Sequence, residues 1–451
     1  MVTLSHKGPG ELYEVVGNVY SLVTTNDYRA CEIGDRKFVL HGHKASSGLR
    51  DGLIRIEHKT SGAQDEAKYT CFRVCLKEVS FSGDKYHVVK KDDGSMDYNA
   101  PHWQDNSSPL DGDASDSADR SYPVCFTSGT KMKVTAKWVI EPQFLVSSAK
   151  VRGSGPGGLD FPESPATIDG GTLTICGLEC IRPFESSVRF MDPMLINWNV
   201  LIVVDGAEIR ASGGVSGNQT YITHGDPMTT VYHTLVHIGC KNANGKSEVP
   251  EIVDGVYSEF MDRIVCRLLD GKQMTYWLNG QQGAMETDAI LRRPDANGNC
   301  QAWSALLRDC FKAQGIPSNR IRALPYASDG SVFVKNWRFV GPGGNGGRYP
   351  YTLGVDAFDL MGIPGQGNSD PPGVFNGHCI TVCNGCYYDG SYGTSKVSGV
   401  NKDKLYEDVS LDGYGPSFEL YSGAPVVRKN DVSDASKSEL AYQIDDGGSR
   451  L

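Results

Sequence analysis

A β-rich N-terminal half followed by an α+β domain is the architecture the sequence predicts. Three observations predict it. Short alternating runs between turn signals fill residues 1 to about 245. Unbroken helical spacing of apolar residues first appears at Val249. Strand-like runs then return after the second helical stretch, which closes at Gly315 and Pro317.

Composition sets the bounds. The chain has 451 residues, room for about three domains. Hydrophobic residues make up 39% and charged residues 22%, enough apolar material for real cores and no mark of bulk disorder. The 53 Gly and 22 Pro favour short strands joined by turns. Residues 1–125 and 126–224 read as two β-sandwich-like modules, and 225–451 as the α+β domain.

In the first half, Arg36–Leu40, Thr70–Val79, Lys131–Ile140 and Thr172–Ile175 have the β-branched and aromatic content of strands. Trp198–Val204 is denser, as in a strand buried on both faces. Residues 104–121 form an acidic, Ser-rich loop. Its spacing fails the EF-hand pattern, because Asp116 and Tyr122 occupy the positions that need Gly and Glu.

In the second half, apolar residues from Val249 to Leu268 keep i, i+3, i+4 spacing, with Ser247 as the expected N-cap and Gly271 as the expected stop. A second helix begins near Cys300, with Ala302, Leu306, Leu307, Cys310 and Phe311 on one face. Strands follow at Ser331–Val340 and in a hairpin in the 380s. The runs Gly153–Gly158 and Gly341–Gly346 fit GxGxxG by letter only. Each carries a Pro and neither leads into a helix, so neither has a dipole to hold a pyrophosphate.

Charge and hydropathy exclude some partners. The net charge is -10 with no basic cluster, which disfavours nucleic acid and anionic membranes. No apolar stretch reaches the roughly 20 residues of a membrane span. The first ten residues lack an apolar signal core, so the expectation is a cytoplasmic protein, or an exported one whose signal has been removed. Thirteen cysteines in a chain this long do not read as a disulfide framework.

One constellation carries chemistry. The segment Asp295–Trp303 delivers Cys300 to the first turn of a helix, where unpaired N–H groups and the dipole favour a thiolate. Asn384-Gly385 between two β-like runs signals a type I′ hairpin. That turn sets Cys383 opposite Cys386, Val382 opposite Tyr387 and Thr381 opposite Tyr388. His378 and Asp389 then become diagonal neighbours on one face. A carboxylate orienting one imidazole nitrogen, with the other turned to a thiol, is the arrangement of a cysteine nucleophile with its base. Cys379, Cys383 and Cys386 have the density of a zinc site, but no fourth ligand lies nearby in sequence. Neither a metal nor a cofactor is expected.

In their order, GNCQAWSALLRDCFKAQGIP (298–317), GHCITV (377–382) and YYDGSYG (387–393) resemble the transglutaminase-like superfamily, and its bacterial members in particular. The chain has Gly390 where those members usually have Pro. The resemblance covers about 225–395 and implies a papain-like fold in which Cys300, His378 and Asp389 are nucleophile, general base and orienting acid. It implies thiol-dependent acyl transfer on protein or peptide amides through a Cys300 thioester. The family's Trp or Gln oxyanion donors make Trp277, Gln281 and Gln282 the candidates beside the Cys300 N–H. Hydrolysis, as in a cysteine peptidase or amidase, is favoured because water needs no acceptor site. Protein-glutamine cross-linking is the alternative within the same chemistry. A catalytically idle binding or adhesion protein is the alternative outside it. The acyl substrate, the acceptor, the oligomeric state and the role of the first 225 residues are not written in the sequence.

Overall fold

The computed structural model describes residues 73–105, 119–141, 146–204, 207–325, 364–369, 371, 374–394, 396–416 and 440–445. It also describes the strand segments 2–5, 12–15, 30–33, 36–41, 51–58, 64–70, 330–334, 338–339, 351–352, 358–359 and 425–428. Positions 106–118 of the acidic loop and the run Gly341–Gly346 lie outside the described residues. The protein is β-rich, with few helices.

Near the N-terminus, Ala30–Ile33, Arg36–His41, Asp51–His58 and Gln64–Thr70 pair in order as an antiparallel meander. Eleven strands between Arg73 and Thr223 then form one sheet. The sheet curls because strand Asp160–Asp169 serves both of its halves. Its first part pairs with Ser148–Ser154 and its last three residues pair with Thr172–Glu179. The halves face each other across one core, in which Trp138 meets Trp198 edge to face with ring centroids 5.6 Å apart. Both indole N–H groups are satisfied, Trp138 by the Gly213 carbonyl at 2.7 Å and Trp198 by the Ser216 hydroxyl at 3.1 Å, as buried indoles require.

The boundary read at 125/126 falls inside strand Val124–Thr127. Ladder partners lie on both sides of it: Arg73–Ser82 pairs with Lys133–Glu141, and Val124–Thr127 runs parallel to the end of Ala207–Thr223. Over 73–223, then, one core joins what the sequence divides. Trp198–Val204 is the inner end of the long strand Arg189–Val204. Trp198, Val200 and Ile202 point inward; on the other face Asn199 is exposed but Leu201 is buried and Val203 half-buried, so both faces are covered only over the second part of the run.

Five helices accompany the site: α1 His233–Asn242, α2 Val249–Met261, α3 Thr287–Arg292, α4 Cys300–Ala313 and α5 Lys402–Ser410. A four-stranded antiparallel sheet supports them, in the order Cys386–Tyr388, His378–Cys383, Ser318–Pro325, Leu440–Ile444. The helical core also takes in Cys125 and Tyr221 from the large sheet, and Val188 just before strand Arg189–Val204, so α1 is packed directly on the sheet.

The α2 helix stops seven residues before the expected Leu268, and Glu248, not Ser247, occupies its N-cap. The Asp262 carboxylate accepts from the Ile264 N–H at 2.9 Å and Arg263 takes a positive φ of 63°. This side-chain turn competes with the next helical turn and wins. Ile264 is left exposed and Val265 turns back into the core. By contrast α4 spans the expected stretch and closes at Gly315 (φ 72°).

The large sheet has its tightest glycine approach at Gly153. A Cβ at Gly153 would meet the Trp198 ring at 2.6 Å. Gly153→Val therefore forces the indole aside and is expected to cost about 1–3 kcal/mol of unfolding free energy, read from denaturant unfolding. An unchanged midpoint would contradict the packing described for Trp198.

Candidate active site

Cys300 is the first residue of α4, and the residue before it holds the helix start. Asn299 is the N-cap; its side-chain oxygen accepts from the N–H groups of Gln301 (2.9 Å) and Ala302 (3.2 Å). The cap leaves the Cys300 N–H, at the positive end of the helix, to a ligand. Arg320, buried on the neighbouring strand, reinforces this start. Its guanidinium donates to the Gln301 carbonyl at 3.4 Å, to Glu286 at 3.0 Å and to the Asp445 carboxylate at 3.2 Å.

Strand His378–Cys383 lies across α4, and the Thr381 hydroxyl donates to the Ser304 carbonyl at 2.9 Å. The hairpin has the register that Asn384-Gly385 dictates: Cys383 opposite Cys386, Val382 opposite Tyr387, Thr381 opposite Tyr388. Asn384 and Gly385 both have positive φ, 46° and 74°, as a type I′ turn needs. His378 Nε2 donates to Asp389 Oδ2 at 2.9 Å, with both side chains buried.

Asp389 is fully engaged. Its Oδ1 accepts from the N–H groups of Ser391 (3.0 Å) and Tyr392 (3.3 Å) in a tight local turn, and Oδ2 takes the Tyr406 hydroxyl at 3.0 Å besides His378. That turn is seated on the helices. The Gln366 amide donates to the Phe260 and Gly390 carbonyls (2.7 and 2.9 Å), and the Tyr257 hydroxyl donates to the Asp389 carbonyl at 3.2 Å. Gly390 is needed here, because a Cβ would come within 2.9 Å of the Trp303 carbonyl.

The second imidazole nitrogen, Nδ1, is buried without a well-formed hydrogen bond. Besides Asp389, the group that acts on the His378 imidazole is the Cys300 thiol. Long catalytic hydrogen bonds are common before substrate binds. The Cys300 thiol is held well below its ordinary range. The neighbouring Cys379 thiol and, after it, the positive charge of His378 hold it down, and together they outweigh burial, which pushes the other way. Burial alone would lower His378, but the Asp389 carboxylate and the Cys300 sulfur raise it to about 10. Cys379 moves up, through its hydrogen bond to Cys300 and its burial. Both directions favour a thiolate beside an imidazolium.

Of the oxyanion candidates, Trp277 lines the site. Its backbone N–H bonds to the Gly298 carbonyl at 3.1 Å, two residues before Cys300. Its ring contacts Phe375, which in turn contacts His378, with centroids 5.8 and 5.9 Å apart. Its indole N–H is buried without a partner among the described residues. The residue adopts a left-handed conformation (φ 52°), steadied by the Asn368 amide on its carbonyl at 3.1 Å. The side chains of Gln281 and Gln282 are exposed. Among the described residues no cluster of three His, Cys, Asp or Glu is arranged to hold a metal, and Cys383 and Cys386 face each other beside the turn as free thiols. Asn299 and Tyr406 are not singled out by the sequence, and Cys379 enters there only as part of a zinc-like spacing. Asn299 carried a readable signal, an Asn directly before the first apolar-periodic residue.

Comparison of the chain with protein-family models and with curated proteins gave no match. Among the described residues no helix is long and apolar enough to cross a membrane.

Two outcomes test this geometry. At about pH 6, iodoacetamide should alkylate Cys300 at least about tenfold faster than the exposed Cys266. The sign follows from the environments: Cys300 is depressed and ionised there, whereas Cys266 is raised by partial burial and nearby Glu259 and Asp262. Peptide-mapping mass spectrometry reads the ratio, and faster labelling of Cys266 would contradict the ion pair. Asn299→Ala should lower unfolding free energy by about 1 kcal/mol, measured by denaturant titration. No loss would remove the cap from the account.

Proposed function

We propose that this chain is a thiol-dependent acyltransferase with a papain-like, transglutaminase-like domain, cleaving protein or peptide amides with water as acceptor. One observation carries the reading. A helix-start thiol is held low by a neighbouring imidazole, one nitrogen of which is held by a buried, fully hydrogen-bonded carboxylate. The three residues come from two separate stretches of chain, the start of α4 and the hairpin that carries His378 and Asp389.

The chemistry follows from the positions. The Cys300 thiolate adds to the amide carbonyl, forming a C–S bond and pushing the carbonyl electron pair onto oxygen. The Cys300 N–H and the Trp277 indole N–H are the donors for that oxyanion. As the tetrahedral species collapses, the C–N bond breaks and His378 hands the Nδ1 proton to the departing amine. His378 then takes a proton from water, which adds to the thioester and releases acid and thiolate. Asp389 keeps the Nε2 proton in place throughout, so that Nδ1 is the nitrogen that exchanges protons.

Turnover of a fluorogenic peptide-amide library tests the reading. Cys300→Ala should abolish it and leave the melting temperature unchanged. His378→Ala should lower the rate by roughly 10²–10⁴-fold, and Asp389→Asn by less. Trp277→Phe should cost about 10²–10³-fold in kcat with little change in stability. Turnover that survives Cys300→Ala would overturn the assignment of the nucleophile.

A further inference from the structure

Asp389 has two oxygens with different attachments. Oδ1 is held within its own turn by the Ser391 and Tyr392 N–H groups. Oδ2, the oxygen that receives His378, is held from outside by Tyr406, whose hydroxyl donates at 3.0 Å from 17 residues further along the chain. Tyr406 is buried in a cluster with Ile321, Ile380, Tyr387 and Val397 on the far side of the sheet. Its ring meets Tyr387 and Tyr442 edge to face. The phenol is thus fixed by packing before it donates.

The helix carrying it is fixed in turn. The Tyr387 hydroxyl donates to the Asp403 carboxylate at 2.6 Å, and the Tyr442 hydroxyl donates to the Asp403 carbonyl at 3.1 Å and to Glu407 at 3.3 Å. The Leu440 N–H donates to Glu407 at 3.2 Å. Strand Leu440–Ile444 therefore fastens α5 to the sheet edge.

We propose that Tyr406 is a positioning residue for the catalytic pair. Through Oδ2 of Asp389 it sets the carboxylate that orients His378, so that α5 and strand Leu440–Ile444 complete the site. The proposal rests on the acyl-transfer reading above. A carboxylate that shares its charge with a phenol holds an imidazolium less tightly than one that does not. Tyr406 therefore both fixes the Asp389 rotamer and moderates its pull on the His378 proton. Around this line stand Cys300, Cys379 and the phenols of Tyr257, Tyr276, Tyr392 and Tyr442, with Tyr387, Asp403 and Glu407 on the Tyr406 side and Arg320 and Asp445 on the Cys379 side. Burial keeps those four phenols protonated, and Cys379 is likewise pushed up. Cys300 and His378 are left to define the pH profile.

The full chain is alkylated with iodoacetamide between about pH 4 and pH 11.5, and the rate at Cys300 is read by mass spectrometry. The wild type should show two inflections, thiol ionisation at low pH and imidazolium loss at high pH. Tyr406→Phe keeps the ring packing and removes the donor. It should move the upper inflection upward by about half a pH unit or more, with the melting temperature near that of the wild type. Site-specific 3-fluorotyrosine at 406, a stronger donor of the same shape, should move it down, and it keeps the test open if the Phe variant does not fold. Two wild-type inflections that neither replacement moves would overturn the role of Tyr406 alone. A single wild-type inflection in the ordinary thiol range would overturn the acyl-transfer reading, and this proposal with it.

Discussion

The hydrogen bond from His378 Nε2 to Asp389 Oδ2 is the constraint around which the second half of the chain is arranged. An ionised pair this deeply buried is costly unless its remaining hydrogen-bonding capacity is met. Asp389 meets it with four donors: an imidazole, a phenol and two backbone N–H groups. Each donor needs its own support. The type I′ turn at Asn384-Gly385 fixes the register that brings residue 389 back to residue 378. Gly390 lets the following turn press against the carbonyl of Trp303, and Gln366 and Tyr257 tie that turn to α2. Loss of any of these would leave a charge in the core without its full complement of partners.

The sulfur stands at the other end of this polar line. Its helix start is built so that ordinary capping needs are met by Asn299, leaving the Cys300 N–H for chemistry. Arg320 clamps the first turn to the sheet through Gln301 and to the C-terminal region through Asp445. The helix-to-strand distance is thereby set by rigid elements, as the proposed pairing of nucleophile and base would require. The large curled sheet is no loose appendage. Tyr221, Cys125 and Val188 enter the same core as α1 and α4, so the two parts share packing that would have to be broken for them to move apart.

Much of this was legible in the sequence, for local reasons. An Asn-Gly pair between β-like runs fixes both a turn type and a register, and the His378–Asp389 contact follows from counting back along the strands. Regular apolar spacing located α4 and its Cys300 start. What could not be read depends on distant partners. Strands Arg73–Ser82 and Lys133–Glu141 pair across a long stretch of chain, so the sequence suggested two sandwich-like modules where residues 73–223 share one core. The Asp262 side-chain turn ended α2 although the apolar pattern ran on to Leu268. Trp277, Gln281 and Gln282 are equal as donors on paper, and only the tertiary structure separates a buried, unpartnered indole from two exposed amides. Tyr406 sits on a short polar helix with no motif, and its value lies wholly in what it reaches.

The central claim is that Cys300 is ionised in the resting protein because His378 is protonated beside it. Ultraviolet absorption by thiolate measures this without any substrate. The difference between the wild type and Cys300→Ser at neutral pH should correspond to about one thiolate per chain, and the signal should disappear in His378→Ala. Equal absorption by wild type and Cys300→Ser would contradict the account, because the sulfur would then be an ordinary thiol and the buried imidazole–carboxylate pair would serve the fold alone.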